Sequence, residues 1–108
     1  MGIKLPPREA ELYKRCDEVL HYLWDPIGVA DAPGARDEYH FYLPQVFALV
    51  GDNADPGRIE EYLATVVKDR MGLWPDRKRD RSVVEVLMKR RKWIWENAAY
   101  QDAAVDGR

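Results

Sequence analysis

The amino-acid sequence predicts an all-α fold: one helical domain, 1–108, built as a bundle of about four helices. Three observations predict it. Apolar residues recur three or four positions apart in four separate segments. Proline, glycine and aspartate punctuate the chain between those segments. No stretch alternates apolar and polar residues as a half-buried strand does. A chain of 108 residues suits one domain, and at this size it buries roughly two-thirds of the surface its unfolded form exposes. No disulfide or structural metal is needed for it to fold.

The first helix starts after Pro6-Pro7, because proline is tolerated in a first helical turn. Leu12, Cys16, Val19, Leu20 and Leu23 form its apolar stripe. Asp25-Pro26 ends it, since a residue before proline is pushed out of helical geometry. A loop runs to about Gly34, where Pro33-Gly34 marks a turn. The second helix is expected from Ala35 or Arg36 to Val50, with Tyr39, Leu43, Val46, Phe47 and Val50 inward. Pro44 should kink it and free a carbonyl near His40, and Gly51 should cap its end.

Asp55-Pro56 opens the third helix, with an N-cap acceptor followed by proline at the first helical position. Ile59, Leu63, Val66, Val67 and Met71 form its stripe, and Gly72 ends it. Ser82-Val83-Val84-Glu85 reads as a capping box for the fourth helix. The charged run from Asp76 to Arg81 is either a connecting loop or an early turn of that helix. Its inner face is Val84, Leu87, Met88, Ile94, Trp95 and Ala98. The tail from about Asp102 to Arg108 is expected to fray.

Charge is balanced overall and uneven locally. The net charge is −2, with 46% apolar and 33% charged residues, a globular composition. Residues 25–72 hold nine acids against four bases, and residues 73–108 hold nine bases against six acids. The lone cysteine, Cys16, allows no intramolecular disulfide and points to a reducing compartment. MGIKLPP carries no secretory signal, and no run approaches the ~20 apolar residues of a membrane span. A cytoplasmic protein without a membrane segment is expected.

Few residues suggest catalysis. His21 has Asp17 and Asp25 four positions to either side, a spacing that brings both carboxylates to the imidazole. With His40 beside Asp37, this set could form a metal site if the first two helices run antiparallel; alone it is incomplete. Thr65 and Ser82 are the only small hydroxyls, one mid-helix and the other assigned as a cap. Cys16 falls on an apolar stripe and reads as core. No glycine-rich phosphate cradle is present. The sequence therefore points away from an enzyme, and no cofactor or metal is assigned.

Binding is better represented. Lys89-Arg90-Arg91-Lys92-Trp93-Ile94-Trp95 sets four bases beside two tryptophans, a pattern that suits an acidic surface or a nucleic-acid backbone. On the helical wheel Trp95 falls with the core, while Trp93 projects from the opposite side near Val86 and Lys89, as an interface anchor does. Arg91 falls within the apolar stripe, where an unpaired charge is costly. It calls for a carboxylate partner, either inside the fold, with Asp25 and Asp37 as the candidates, or on another protein.

The stretch LWDPIGVADAPGARDEY, Leu23 to Tyr39, reads as a structural knot at the corner between the first two helices. Asp25 can hold backbone N–H groups freed at the helix end. Trp24 and Ile27 can plug the gap, Arg36 can pair with a nearby acid, and Tyr39 opens the next buried stripe. Pro26 and Gly28 shape the turn. The segment Tyr22-Leu23-Trp24-Asp25-Pro26-Ile27-Gly28-Val29, then Ala35-Arg36-Asp37-Glu38-Tyr39, then Tyr42, Pro44 and Gln45, and Met71-Gly72-Leu73, resembles the small bacterial YugE-like helical domain of unknown function. The resemblance spans roughly Val19 to Leu73. It implies a short, single-domain, helical cytoplasmic protein and supplies no reaction.

The function expected is that of a non-enzymatic protein-binding module, with immunity proteins and antitoxins as analogues of this size and type. The residues expected to meet the partner are Asp31, Asp37, Glu38, Asp52, Glu60, Glu61 and Trp93, since an acidic surface suits a basic partner such as a nuclease toxin. The alternatives are nucleic-acid binding through Lys89, Arg90, Lys92 and Trp93, a metal-dependent enzyme using His21 and His40, and a homodimer joined through an apolar face near Trp93.

Overall fold

The computed structural model describes residues 5–97 and 99–100. It shows four helices and, among the described residues, no strand. They are α1 (Pro7–Val19), α2 (Leu43–Gly51), α3 (Pro56–Thr65) and α4 (Arg77–Glu96). Two of them continue without a break into wider π turns: α1 into π1 (Leu20–Trp24), and α3 into π2 (Val66–Arg70). The chain runs up, down, up and down. Trp24 at the end of π1 bonds Asp80 in the first turn of α4. Phe41, just before α2, lies against Arg70 at the end of π2. At the opposite end, Arg91 of α4 reaches the Gly51 carbonyl that closes α2.

Each helix starts where its local chemistry dictates. Pro7 opens α1 at a position where the missing N–H costs nothing. The Asp55 carboxylate accepts from the Gly57 N–H at 2.9 Å, with Pro56 in the first turn of α3. The fourth helix starts six residues earlier than the Ser82 box suggests. Asp76 is the N-cap and accepts from Arg79 N at 3.0 Å, so the charged run is helical and Ser82 lies exposed inside α4. The early start is what carries Asp80 into the core.

The second helix is shorter than expected. Residues 36–42 form successive tight turns with hydrogen bonds three residues apart, among them His40 N to Asp37 O and Tyr42 N to Tyr39 O. Pro44 has no N–H to offer the His40 carbonyl. That carbonyl instead accepts from Leu43 N at 3.3 Å, and Pro44 sits in the first turn of α2 with no helix ahead of it to kink. Nor does Gly51 act as the cap. The left-handed residue is Asn53, φ 57°, and Ala54 N closes back on Leu49 O. Gly51 stays helical, facing Leu12.

The core runs the length of the bundle. Leu12, Cys16, Val19 and Leu20 meet Leu43, Val46 and Val50 of α2, Ile59, Leu63 and Val67 of the third helix, and Val83, Val84, Leu87 and Ile94 of α4. Each such side chain contributes about 1.5–3 kcal/mol when fully buried. The π turns change the stripes. One extra residue per turn shifts the register, so Leu23 points to solvent and Trp24 turns inward in its place. Met71, after π2, is only half-buried. Trp95 is also half-buried, flanked by the guanidinium groups of Arg8 at 4.5 Å and Arg91 at 4.3 Å. Ala98 and the 102–108 tail lie outside the described residues.

Candidate functional site

The corner between α1 and α2 is a hydrogen-bonded knot centred on Asp25. Asp25 follows π1 in a left-handed conformation, φ 32°, which aspartate tolerates better than most residues. Its carboxylate accepts from Val29 N at 2.8 Å, from Ala30 N at 3.0 Å and from the Tyr39 hydroxyl at 2.7 Å. The same hydroxyl accepts from Ile27 N at 3.2 Å. Burial alone would raise the Asp25 pKa, but these bonds, with His21 nearby, outweigh it and hold the carboxyl below its ordinary value. Burial and the bond to Asp25 push the Tyr39 phenol up, so it remains a donor at neutral pH. Gly28 and Gly34 take positive φ in the same loop.

The groups that the sequence offers for chemistry are held in structural bonds. His21 is buried, with Nε2 3.2 Å from the Ala30 carbonyl. Asp17 does not join His21. It takes the Arg36 guanidinium in a bidentate pair at 2.9 and 3.1 Å, and His40 Nε2 at 3.0 Å. The antiparallel packing thus brings His40 to Asp17 while leaving His21 apart from them. Among the described residues no three His, Cys, Asp or Glu side chains group as a metal site. Cys16 is in the core, its thiol pushed up to about 12 by burial and by Asp17.

Trp24 and Asp80 tie the corner to α4. Both are 0% exposed, and Trp24 Nε1 donates to Asp80 Oδ1 at 3.1 Å. Asp80 Oδ2 is buried with no hydrogen bond among the described residues. Burial raises the Asp80 pKa, and the Trp24 bond and the Arg79 and Arg77 charges only partly oppose it. Arg91 pairs with neither Asp25 nor Asp37, which lie at the far end of the bundle. It donates to the Gly51 carbonyl at 3.2 Å and stacks on Trp95, with the Asp52 charge nearby. Ile27 is not a plug between helices; it is exposed.

The expected contact residues fall into three places. Asp31, Asp37 and Glu38 are exposed on the knot. Asp52 is exposed at the other end of the bundle. Glu60 and Glu61 sit on α3 facing α4, where Arg81 lies 3.6 Å from Glu60 and Arg77 3.2 Å from Glu61. Trp93 is 57% exposed near the end of α4, with Tyr100 edge-on at 6.1 Å.

Trp93 aside, the large exposed apolar side chains lie elsewhere. Tyr22, Leu23, Ile27, Phe41, Leu73 and Trp74 all sit where π1 ends, α2 begins, π2 ends and α4 begins, which is one end of the bundle. Phe41 is 72% and Trp74 92% exposed. Ring and cation contacts connect this end from Trp24 through Tyr42 and Phe41 to Arg70. Trp74 lies two residues after Gly72, whose φ is +66°, and precedes Pro75, so it belongs to no helical stripe; that isolation is the sequence signal for it. No known protein family, curated protein or solved structure matches this chain.

Proposed function

We propose that this chain is a protein-binding module, which acts by docking a protein molecule instead of by chemistry on a substrate. The gathering of Leu23, Ile27, Phe41, Leu73 and Trp74 at one end of the bundle carries the reading. Isolated exposed apolar residues are ordinary, but several large ones held together on a rigid scaffold characterise interaction surfaces. The scaffold here is rigid because Asp25, Tyr39, Asp17, Arg36 and Asp80 are engaged in holding the corner. An immunity protein or antitoxin is one kind of such module, and a toxin captured in stoichiometric amount would establish that kind.

Affinity capture from the native cells tests the reading, with wild type compared against Trp74→Ala and Phe41→Ala. A stoichiometric protein bound by the wild type and lost from both variants is expected. A partner held equally by all three would refute the assignment of this end.

Nucleic-acid binding is the second reading, favoured by one observation at the other end. Lys89 and Arg90 are exposed beside Trp93, around a cavity of about 360 Å³ that Val86 also lines. Lys92 is held by Glu96 at 2.6 Å, which leaves two cations there for phosphate. That reading requires an affinity that falls steeply with salt.

A further inference from the structure

We propose that the protein docked on the apolar end is a second copy of this chain, packed about a two-fold axis. The inference rests on the reading of that end as a docking surface and names its occupant. The charge pattern around the apolar residues carries it. On the knot side stand Asp31, Asp37 and Glu38, all exposed and, among the described residues, in no ion pair. On the π2 and α4 side stand Lys68, Arg70, Lys78 and Arg79 against Asp69 and Asp76, none of them in an ion pair among the described residues, so that side keeps a net positive charge. The seam between the two rims is where Phe41 of the acidic segment lies 5.5 Å from the Arg70 guanidinium of the basic one.

A surface that is acidic on one rim, basic on the other and apolar between them is complementary to itself. A two-fold rotation about the seam sets the acids of each copy on the bases of the other, as an isologous interface requires. A uniformly charged partner would match one rim and be repelled by the other. The area is of the right order. An aromatic side chain brings about 150–250 Å², so Phe41 and Trp74 supply roughly 300 Å² of the ~800 Å² per partner in a standard interface. Leu23, Ile27, Leu73 and the rims extend it. Of the acidic residues expected to attract a foreign basic partner, Asp31, Asp37 and Glu38 are thereby assigned to self-association.

Sedimentation equilibrium of the full chain, from about 1 to 100 μM to bracket micromolar dissociation constants, tests this together with a charge swap. The wild type is expected to be a dimer, weakened at least ~10-fold by Trp74→Ala, which corresponds to the loss of one hot-spot side chain. The pairs Asp37→Lys with Glu38→Lys, and Lys68→Glu with Lys78→Glu, are each expected to be monomeric, because each gives both rims the same net sign. Mixed in equal amounts, the two variants are expected to form a heterodimer. All four positions are exposed, and thermal unfolding of each variant checks that it keeps the fold. A wild type that stays monomeric throughout the range, a dimer indifferent to these changes, or a mixture that fails to associate overturns the proposal. If the wild type is monomeric yet captures a foreign protein through Trp74, the second copy is refuted and the docking reading stands. If no protein of either kind depends on Trp74, both fall.

Discussion

Replacing Asp25 by alanine should unlock the corner that presents the exposed apolar end. The substitution removes three hydrogen bonds to one carboxylate, from the Tyr39 hydroxyl, Val29 N and Ala30 N. It also leaves alanine at φ 32°. A hydrogen bond to a charged group contributes about 1.5–3 kcal/mol. The buried Tyr39 bond warrants about 1.5 kcal/mol on that scale. The two loop amides are nearer to water, which can replace the carboxylate, so each is set at about 0.5–1 kcal/mol. The left-handed conformation costs alanine about 1 kcal/mol more. The sum is about 3.5–4.5 kcal/mol, or roughly 15–20 °C in Tm for a chain of this length.

Denaturant unfolding of Asp25→Ala, Asp25→Asn and Tyr39→Phe measures it. Asn keeps an acceptor oxygen and tolerates the conformation, so its loss should stay under about 1.5 kcal/mol. Asp25→Ala combined with Tyr39→Phe should lose less than the sum of the two, by about 1–2 kcal/mol, because both remove one bond. The acid limb gives an independent check. A carboxyl with a lowered folded pKa contributes stability that is present above its unfolded value near ~4 and is lost as pH falls through the folded one. The wild type should therefore lose its advantage over Asp25→Asn below about pH 4. A cost for Asp25→Ala of less than about 1 kcal/mol, or strict additivity with Tyr39→Phe, would refute the reasoning.

The remaining predictions concern the buried groups. Asp80 titrates the opposite way: its folded pKa is raised by burial, so its contribution is full below the ordinary carboxyl value and is lost as pH rises through the folded one. The stability of Asp80→Asn relative to wild type should thus increase from about pH 4 upward, read by thermal melts across pH. Trp24→Phe leaves that carboxylate buried without its donor and should cost about 3–5 kcal/mol, reduced when Asp80→Asn is added. Arg91→Lys should cost nearly as much as Arg91→Ala, about 1–2 kcal/mol, because an ammonium cannot both stack on Trp95 and reach the Gly51 carbonyl. Cys16, with its thiol pushed up to about 12, should resist alkylating reagents in the native protein at pH 8 and react fully in denaturant.

Much of the fold was legible where one residue type has one good use. Asp55-Pro56 could only be a helix start, and the Leu12, Cys16, Val19 and Leu20 stripe could only face inward. Asp25 was legible as a clasp for backbone amides, though not for Tyr39. What the sequence concealed was set by distant partners. No local pattern distinguishes Leu23 from Trp24 as the inward residue; the choice depends on Asp80, 56 positions away. The capping box at Ser82 satisfied a local rule, and an earlier aspartate that lets Asp80 reach the core prevailed over it. The exposed apolar end was hidden because its residues come from separate turns, at 27, 41 and 73–74, and no single window shows a periodic stripe.

The π turns and the exposed apolar end are connected physically. Both π turns terminate the two upward-running helices, and both lie at the end where the apolar residues are exposed. An inserted residue turns the following side chains about 100° around the axis, so the burial of Trp24 and the exposure of Leu23 are one event. Burying Trp24 brings its N–H to Asp80, which fixes the start of α4 and with it the position of Leu73 and Trp74 just upstream. On the other side, Trp24 packs 5.4 Å from Tyr39, whose hydroxyl closes the Asp25 knot and thereby places Ile27 and Phe41. A single buried indole therefore sets the geometry of both halves of the apolar end. The conformational entropy of the loop is lost in folding and not again in binding, and a surface pre-organised in that way retains more of its contact energy as affinity.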